Sequence, residues 1–357
     1  MTGKKKNLAL IQMLRGIASI LVVLYHMTVN YAEINGQSFL VGIFNFGGSG
    51  VHVFFVLSGF IIAYANKDFL AKPSKTLTYL KRRFVRIYPI YWIIITGFLV
   101  IQLLLPGYYN SPFQLKVFDF LSTYLLLPDH VNINGVSWTL TNELFFYLIF
   151  ILAILIPQKK YAFYLLVVYL ILLLVFAIAN INPTGTSGYG GLLFFPMNIE
   201  FLFGVFIVIM VDKIPLKWVW PLLFAGVALF ITGAIIFNQG VSILNVGANP
   251  VLSGVVLFGL PSFLIILALV KMELNKTVRV KKIFLHLGDA SYSIYLVHLP
   301  LVVAFYRVVA KFQVSNSWVL CLLSLVLLCS VCFIGILIYV TIEKPLTKKL
   351  NKAISAK

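Results

Sequence analysis

The sequence predicts an all-α polytopic membrane protein: a bundle of about ten transmembrane helices with both termini in the cytoplasm. Three observations carry this reading. Of 357 residues, 61% are hydrophobic and only 11% charged, against roughly 25% charged in soluble domains. The apolar residues gather in runs close to the ~20 residues that span a bilayer. The basic residues fall between those runs and favour alternate loops, the mark of membrane topology. This composition excludes an ordinary soluble enzyme. It also excludes a disordered chain, which would be poor in aromatics and rich in charge. A formal net charge of +18 raises nucleic acid as a partner. The charges, however, sit in short clusters between apolar runs and form no patch on a soluble unit, so no nucleic-acid partner is expected.

Taken in order, the candidate spans are 9–30, 48–66, 87–106, 140–157, 161–180, 191–211, 216–237, 250–271, 289–310 and 317–341. The segment Met1 to Leu24 imitates a signal peptide, with Lys4, Lys5 and Lys6 before an apolar run. It lacks a small-residue cleavage site and Arg15 interrupts it, so it reads as an uncleaved first helix. Asp212, Lys213, Pro215 and Lys217 separate the sixth span from the seventh. Counted over alternate loops, 24 Lys and Arg fall on one side and three (Lys116, Arg307, Lys311) on the other. That imbalance places both termini in the cytoplasm and calls for an even number of spans. The longest outer loop, 107–139, is too short for a separate domain. The expected organisation is a membrane-embedded domain over 1–343 and a short basic cytoplasmic tail over 344–357. Cys321, Cys329 and Cys332 share one apolar run. The Cys329-x-x-Cys332 spacing is one that elsewhere serves redox or metal chemistry. No second pair or nearby His completes a site, so all three read as small packing hydrophobes, with no disulfide and no metal.

Ionisable side chains inside apolar spans are costly and point to function. Arg15, His26, His52, Arg86, Glu143, Glu200 and His298 qualify. Arg15 and His26 are eleven residues apart, which returns to the same helix face within about 20° and separates them by about 16 Å along the axis. One face thus offers a fixed cation near the cytoplasm and a titratable base deeper in. The plainer alternative is an arginine snorkelling to the interface beside a hydrogen-bonded core histidine. Glu143 follows Ser137, Trp138 and Asn142 at the outer end of the fourth span. It pairs naturally with a histidine as base and orienter, or simply suits a helix's first turn. Arg82, Arg83 and Arg86 before the third span suit bidentate phosphate contacts, or mark topology. Ser58 and Gly59 midway along the second span admit a ligand or permit close helix packing. Tyr295 and His298, three apart, share a face of the ninth span and line a cavity or form an interhelical pair.

The order of these motifs along the chain is more specific than any one of them. Arg15-Gly16-Ile17-Ala18 with His26 resembles the opening of the acyltransferase-3 family of bacterial integral-membrane O-acyltransferases. Phe54 to Phe60 is similar to that family's Phe-Phe-x-x-Ser-Gly-Phe. Arg83 to Pro89 is similar to its Arg-x-x-Arg-Ile-x-Pro. Ser137 to Tyr147 resembles its Ser-Trp-x-Leu-x-x-Glu-x-x-Phe-Tyr, and Ser291 to His298 its Ser-Tyr-x-x-Tyr-x-x-His.

The resemblance implies a ten-helix bundle in a bacterial inner membrane, an acyl-CoA donor (acetyl-CoA expected) and no metal. The acceptor hydroxyl would lie on a sugar of an envelope polysaccharide or a glycolipid. It implies His26 as general base, with Glu143 orienting it or binding the acceptor. Arg15, Arg83 and Arg86, with Ser58, would hold the donor, and Trp138, Asn142, Tyr295 and His298 would line the acceptor cavity. Relatives with an extra extracytoplasmic hydrolase-like domain hand the acyl group over there. Without one, direct transfer is expected here, or transfer through a separate partner protein. The rival is a transporter or flippase for a glycolipid, which would show inverted repeats. None is visible.

Overall fold

The computed structural model describes residues 8–36, 39–104, 116–128, 133–179, 188–240, 250–314 and 316–355. The Lys4 to Lys6 cluster lies outside them. Among the described residues, ten helical segments are long and apolar enough to cross a membrane, one for each span expected. The main helix of each is, in order, α1 (Ala9–Asn35), α2 (Gly50–Asn66), α3 (Thr76–Leu104), α4 (Trp138–Leu155), α5 (Lys159–Ile178), α6 (Asn198–Met210), α7 (Val219–Asn238), α8 (Leu260–Asn275), α9 (Ser291–Lys311) and α10 (Ser317–Ile338). Adjoining turns extend the second, sixth and eighth to Asn45–Asn66, Gly190–Met210 and Val251–Asn275. π-helical turns precede α8 at Val255–Gly259 and follow α10 at Tyr339–Glu343.

Two boundaries differ from expectation. α3 starts at Thr76, after Pro73, and not near residue 87. Lys81, Arg82 and Arg83 are good helix formers, so the basic cluster forms the first turns of the span. The expected tail is itself a helix, α11 (Lys344–Ser355). Its lysines at 344, 348, 349 and 352 follow helical spacing. The expected outer loop also contains a nine-residue helix, Val117–Leu125.

The chain divides into two compact units. The first comprises Met1–Ala18, Ser49–Tyr79 and Asn142–Gly288. The second comprises Ser19–Gly48, Leu80–Thr141 and Asp289–Lys357.

In the first unit α2 and α6 meet backbone to backbone. A Cβ on Gly59 would lie 1.9 Å from the Phe201 carbonyl oxygen, and one on Gly204 would lie 2.2 Å from that of Val56. In lipid there is little hydrophobic gain in bringing helices together, so close small-residue packing carries association. Phe201 then stacks between Phe55 and Phe146, each with ring centroids 4.6 Å away. Val56, Leu57, Phe60, Ile207, Ile266, Leu267 and Val270 close the core around this contact. The start of α1 joins it through Leu10 and Ile11. The buried carboxylate of Glu273 accepts a hydrogen bond from the Ile11 amide at 3.4 Å, at a helix end where donors are orphaned and the dipole favours an anion.

In the second unit, side chains bond many of the backbone carbonyls at helix ends. The last carbonyls of the Val117–Leu125 helix are each bonded by a neighbour. Tyr91 donates to Thr123 at 2.8 Å, Trp92 to Tyr124 at 2.9 Å and Tyr88 to Leu125 at 3.0 Å. Thr141 donates to the carbonyl of the capping residue Leu126 at 3.1 Å. Phe84, Tyr88 and Trp92 recur every fourth residue on α3 and pack ring against ring. Pro300 sits inside α9 and cannot bond the Leu296 carbonyl one turn back. Asn134 donates to that carbonyl at 2.9 Å. α10 packs on α9 through Gly335, where a Cβ would lie 2.3 Å from Ile294.

Two outcomes are expected for thermal unfolding in detergent. Gly204→Val forces the α2–α6 backbones apart and lowers stability by roughly 1–3 kcal/mol or prevents folding. Tyr91→Phe removes one of the two donors to the Thr123 carbonyl, leaving the Leu126 amide at 3.2 Å, and costs about 1 kcal/mol. An unchanged unfolding temperature for Gly204→Val would contradict the contact described.

Candidate functional site

Each unit gathers its own group of the residues singled out from the sequence. In the second unit, His26 of α1 and His298 of α9 stand with ring centroids 5.2 Å apart. His298 is fully buried. Its Nδ1 lies 2.7 Å from the Tyr295 carbonyl oxygen. A carbonyl only accepts, so Nδ1 carries the hydrogen, and in the neutral ring Nε2 is left with its lone pair. That Nε2 has no hydrogen-bond partner among the described residues. The second unit therefore holds one imidazole locked in orientation, with an open basic nitrogen, beside a second imidazole edged by Tyr25.

Tyr295 is held in turn. Its hydroxyl and that of Thr139 are 2.9 Å apart, and Thr139 donates to the Val136 carbonyl at 3.0 Å. Together with Asn134 on Leu296, this ties the turn before α4 to the middle of α9. Trp138 opens α4 here and is half-buried.

Arg86 of α3 is engaged by a partner that sequence reasoning did not single out. Its Nη1 donates to Glu343 Oε1 at 3.0 Å, and Ser293 of α9 donates to Glu343 Oε2 at 2.7 Å. The guanidinium also lies over the Tyr292 ring, 5.0 Å from its centroid. Glu343 is buried and ends the π-helical turn after α10. This pair fixes the position of the Arg86 guanidinium. Arg83 lies one turn earlier on α3 and is half-buried. The usable signal for Glu343 was present: it is one of only ten acidic residues, at the end of the last apolar run.

In the first unit, Glu143 accepts from Ser58 at 3.3 Å and from Tyr147 at 2.5 Å, both on Oε1. Ser58 therefore faces a carboxylate here, while Gly59 beside it serves packing. Asn142 is buried one residue before Glu143. Arg15 donates to Gln12 one turn back at 3.2 Å. α1 is one continuous helix, which keeps Arg15 and His26 at the spacing read from the sequence.

The first unit also contains a buried pair outside the assigned set. His52 Nδ1 lies 2.5 Å from Glu200 Oε1. Gly254 abuts the imidazole and Gly259 abuts the carboxyl, where a Cβ would come within 2.7 and 2.4 Å. The two glycines bracket the π-helical turn Val255–Gly259, so the turn and the missing side chains together make room for the pair. Among the described residues no group of three His, Cys, Asp or Glu forms a metal cluster.

A family model described as "Acyltransferase domain" matches residues 8–339. The chain is similar to the Exopolysaccharide production protein ExoZ of Rhizobium meliloti (strain 1021), 26% identical over 330 residues that cover 90% of this chain and 95% of the relative. It is also similar to the Acyltransferase MdmB of Streptomyces mycarofaciens, 35% identical over 147 residues, which cover 38% of this chain and 36% of that protein. No solved structure matches.

The Glu343 contacts make a graded expectation. Glu343→Ala strips both Arg86 and Ser293 of an acceptor and lowers stability by roughly 1–3 kcal/mol. Glu343→Gln keeps an acceptor and costs less. Thermal unfolding of the two variants in detergent checks the order, and a Gln variant as damaged as the Ala variant would contradict it.

Proposed function

This chain belongs to the acyltransferase family whose model spans residues 8–339, and from that premise we propose that it moves an acetyl group from acetyl-CoA to a hydroxyl of a sugar. The enzyme is an O-acyltransferase with ten candidate membrane helices. The sugar belongs to an envelope or extracellular polysaccharide or a glycolipid, and the membrane is the bacterial inner membrane. Support for a carbohydrate acceptor comes from similarity to a relative named for exopolysaccharide production.

The single observation that carries the chemistry is the His26–His298 pair. His26 takes the proton of the acceptor hydroxyl as its oxygen adds to the thioester carbonyl. His298, with Nδ1–H tied to Tyr295, offers Nε2 as a second acceptor alongside. The tetrahedral intermediate collapses with loss of the C–S bond, and the proton passes to the CoA sulfur. The products are an ester and a free thiol, so no other reactant is needed. Tyr295 and Trp138 line the acceptor side.

The arginines at the start of α3 fit the phosphates of CoA in chemistry: guanidinium groups bind phosphate through paired N–H donors. Arg83 and Arg86 serve there, with Glu343 holding Arg86 in place. Arg15 adds a further cation for the donor and Ser58 a hydroxyl. Glu143, which already collects two hydroxyl donors, and Asn142 next to it are assigned to acceptor hydroxyls. Residues 344–357 act as the basic cytoplasmic end of the chain.

The test is acetyl-CoA binding to the full chain purified in detergent, which needs no acceptor. Wild type binds saturably. Arg15→Ala and Arg83→Ala each weaken binding by about tenfold, whereas His26→Ala binds within about twofold and loses acetyl transfer. Absence of binding by folded wild type would overturn the donor assignment. Full transfer by His26→Ala would remove His26 from the mechanism.

A further inference from the structure

α1 and α9 meet twice in the second unit. They meet first at His26 and His298. They meet again at a cavity of about 300 Å3 lined by Asn30, Glu33, Val303, Tyr306, Arg307 and Ala310. Residue numbers rise together on both helices between the two contacts, so the helices run parallel there. At 1.5 Å per residue, Asn30 and Glu33 lie about 6 and 10 Å beyond His26 along α1, and Tyr306 and Arg307 about 12 and 14 Å beyond His298 along α9. The steps of four, seven and eight residues keep Asn30, Glu33 and Tyr306 on the helix faces that carry the histidines.

The cavity's lining is unlike the surface around it. Val29 and Val308 face outward, as a lipid-facing helix surface should. The cavity instead collects a carboxylate, a guanidinium, a primary amide and a tyrosine. Glu33 is exposed, and Arg307 and Asn30 are half-buried, so the groups are reachable. Tyr306 is buried, and its hydroxyl is spent on Ser324 at 2.7 Å. It therefore serves as part of the cavity wall rather than as a polar contact. Asn30 spends one amide hydrogen on the His26 carbonyl at 2.8 Å, which joins the cavity wall to the turn that carries the base and leaves its amide oxygen as an acceptor.

The charges decide the ligand class. One anion and one cation in a single cavity favour neither a phosphate nor an amine. They suit a neutral group that donates and accepts at once. A hydroxyl does both: it donates to the Glu33 carboxylate and accepts from the Arg307 guanidinium. Several hydroxyls on one ring, with an apolar face set against Val303 and Ala310, describe an uncharged sugar.

We propose that this cavity is a subsite for an uncharged sugar of the acceptor, one neighbouring the sugar whose hydroxyl meets the histidines. The offset between the two contacts is roughly the reach of a disaccharide. The enzyme would then select an oligosaccharide over a single sugar, with Glu33, Arg307 and Asn30 reading the neighbour. This rests on the acyl-transfer reading above.

The experiment uses the full chain in detergent with acetyl-CoA and two families of acceptor probe. These are glucose and galactose as monosaccharides, and neutral gluco- and galacto-trisaccharides. Binding is read by saturation-transfer NMR and acetylation by mass spectrometry. Wild type is expected to bind at least one trisaccharide about tenfold more tightly than its monosaccharide. Glu33→Gln and Arg307→Gln should remove that preference by raising KM for the trisaccharide about tenfold. They should leave kcat, monosaccharide binding, acetyl-CoA binding and the unfolding temperature unchanged. A trisaccharide preference that survives in both variants overturns the subsite and leaves the acyltransferase reading standing. So does wild type binding no trisaccharide while it binds acetyl-CoA. Glycerol phosphate, a lipid headgroup, displacing the trisaccharide's signals from wild type more effectively than the monosaccharide does, and losing that advantage in Glu33→Gln and Arg307→Gln, would overturn it in favour of a lipid site. Failure of wild type to bind acetyl-CoA would instead strike the function itself.

Discussion

Inside a bilayer a carbonyl freed by proline has no water to accept from, and Pro300 therefore determines more than its own turn of α9. The Leu296 carbonyl it leaves open is filled by Asn134. That bond brings the turn before α4 against the middle of α9, where Thr139 and Tyr295 join it. The same turn of α9 carries His298, whose Nδ1 uses the Tyr295 carbonyl. The orientation of the open Nε2 thus follows from a chain of backbone repairs. Tyr88, Tyr91, Trp92 and Thr141 likewise all spend their polar atoms on the end of one short helix.

The buried charges obey a related rule. A charge removed from water must be paired or hydrogen-bonded, and leaving one partner alone is costly. Glu343 gathers Arg86 and Ser293, and Glu200 gathers His52 in a space cleared by two glycines. The two arrangements differ in exposure. Arg86 is half-buried and lies in the basic first turns of α3. The His52–Glu200 pair is closed in by α2, α6 and the π-helical turn, and its evident contribution is to join those elements.

The number and order of the helices were legible because a spanning helix needs only local information. Length and apolarity suffice, and loop charge supplies the even count. The start of α3 was not legible, since Lys and Arg read equally well as loop charges and as helix formers. Residues of the candidate site were recognised through motif order, yet their partners were mostly invisible. Ser58 next to Glu143, or Ser293 and Arg86 on Glu343, join residues 50 to 257 positions apart. No periodicity spans such distances. The lining of the cavity between α1 and α9 was equally hidden, because Asn30, Glu33 and Arg307 look like ordinary helix-end polar residues until the two helices are placed side by side.

The sequence by itself determined that this chain lives in a membrane, how many times it can cross, and which residue types are available for acyl transfer. Those properties depend on composition, run length and motif order, which are one-dimensional. Only the tertiary structure decided which imidazole nitrogen is tied and which is open, which arginine is held and by what, and that Ser58 serves a carboxylate while Gly59 serves packing. These depend on hydrogen-bond geometry between distant segments, and in a medium without water that geometry is dictated by the need to satisfy every buried polar group.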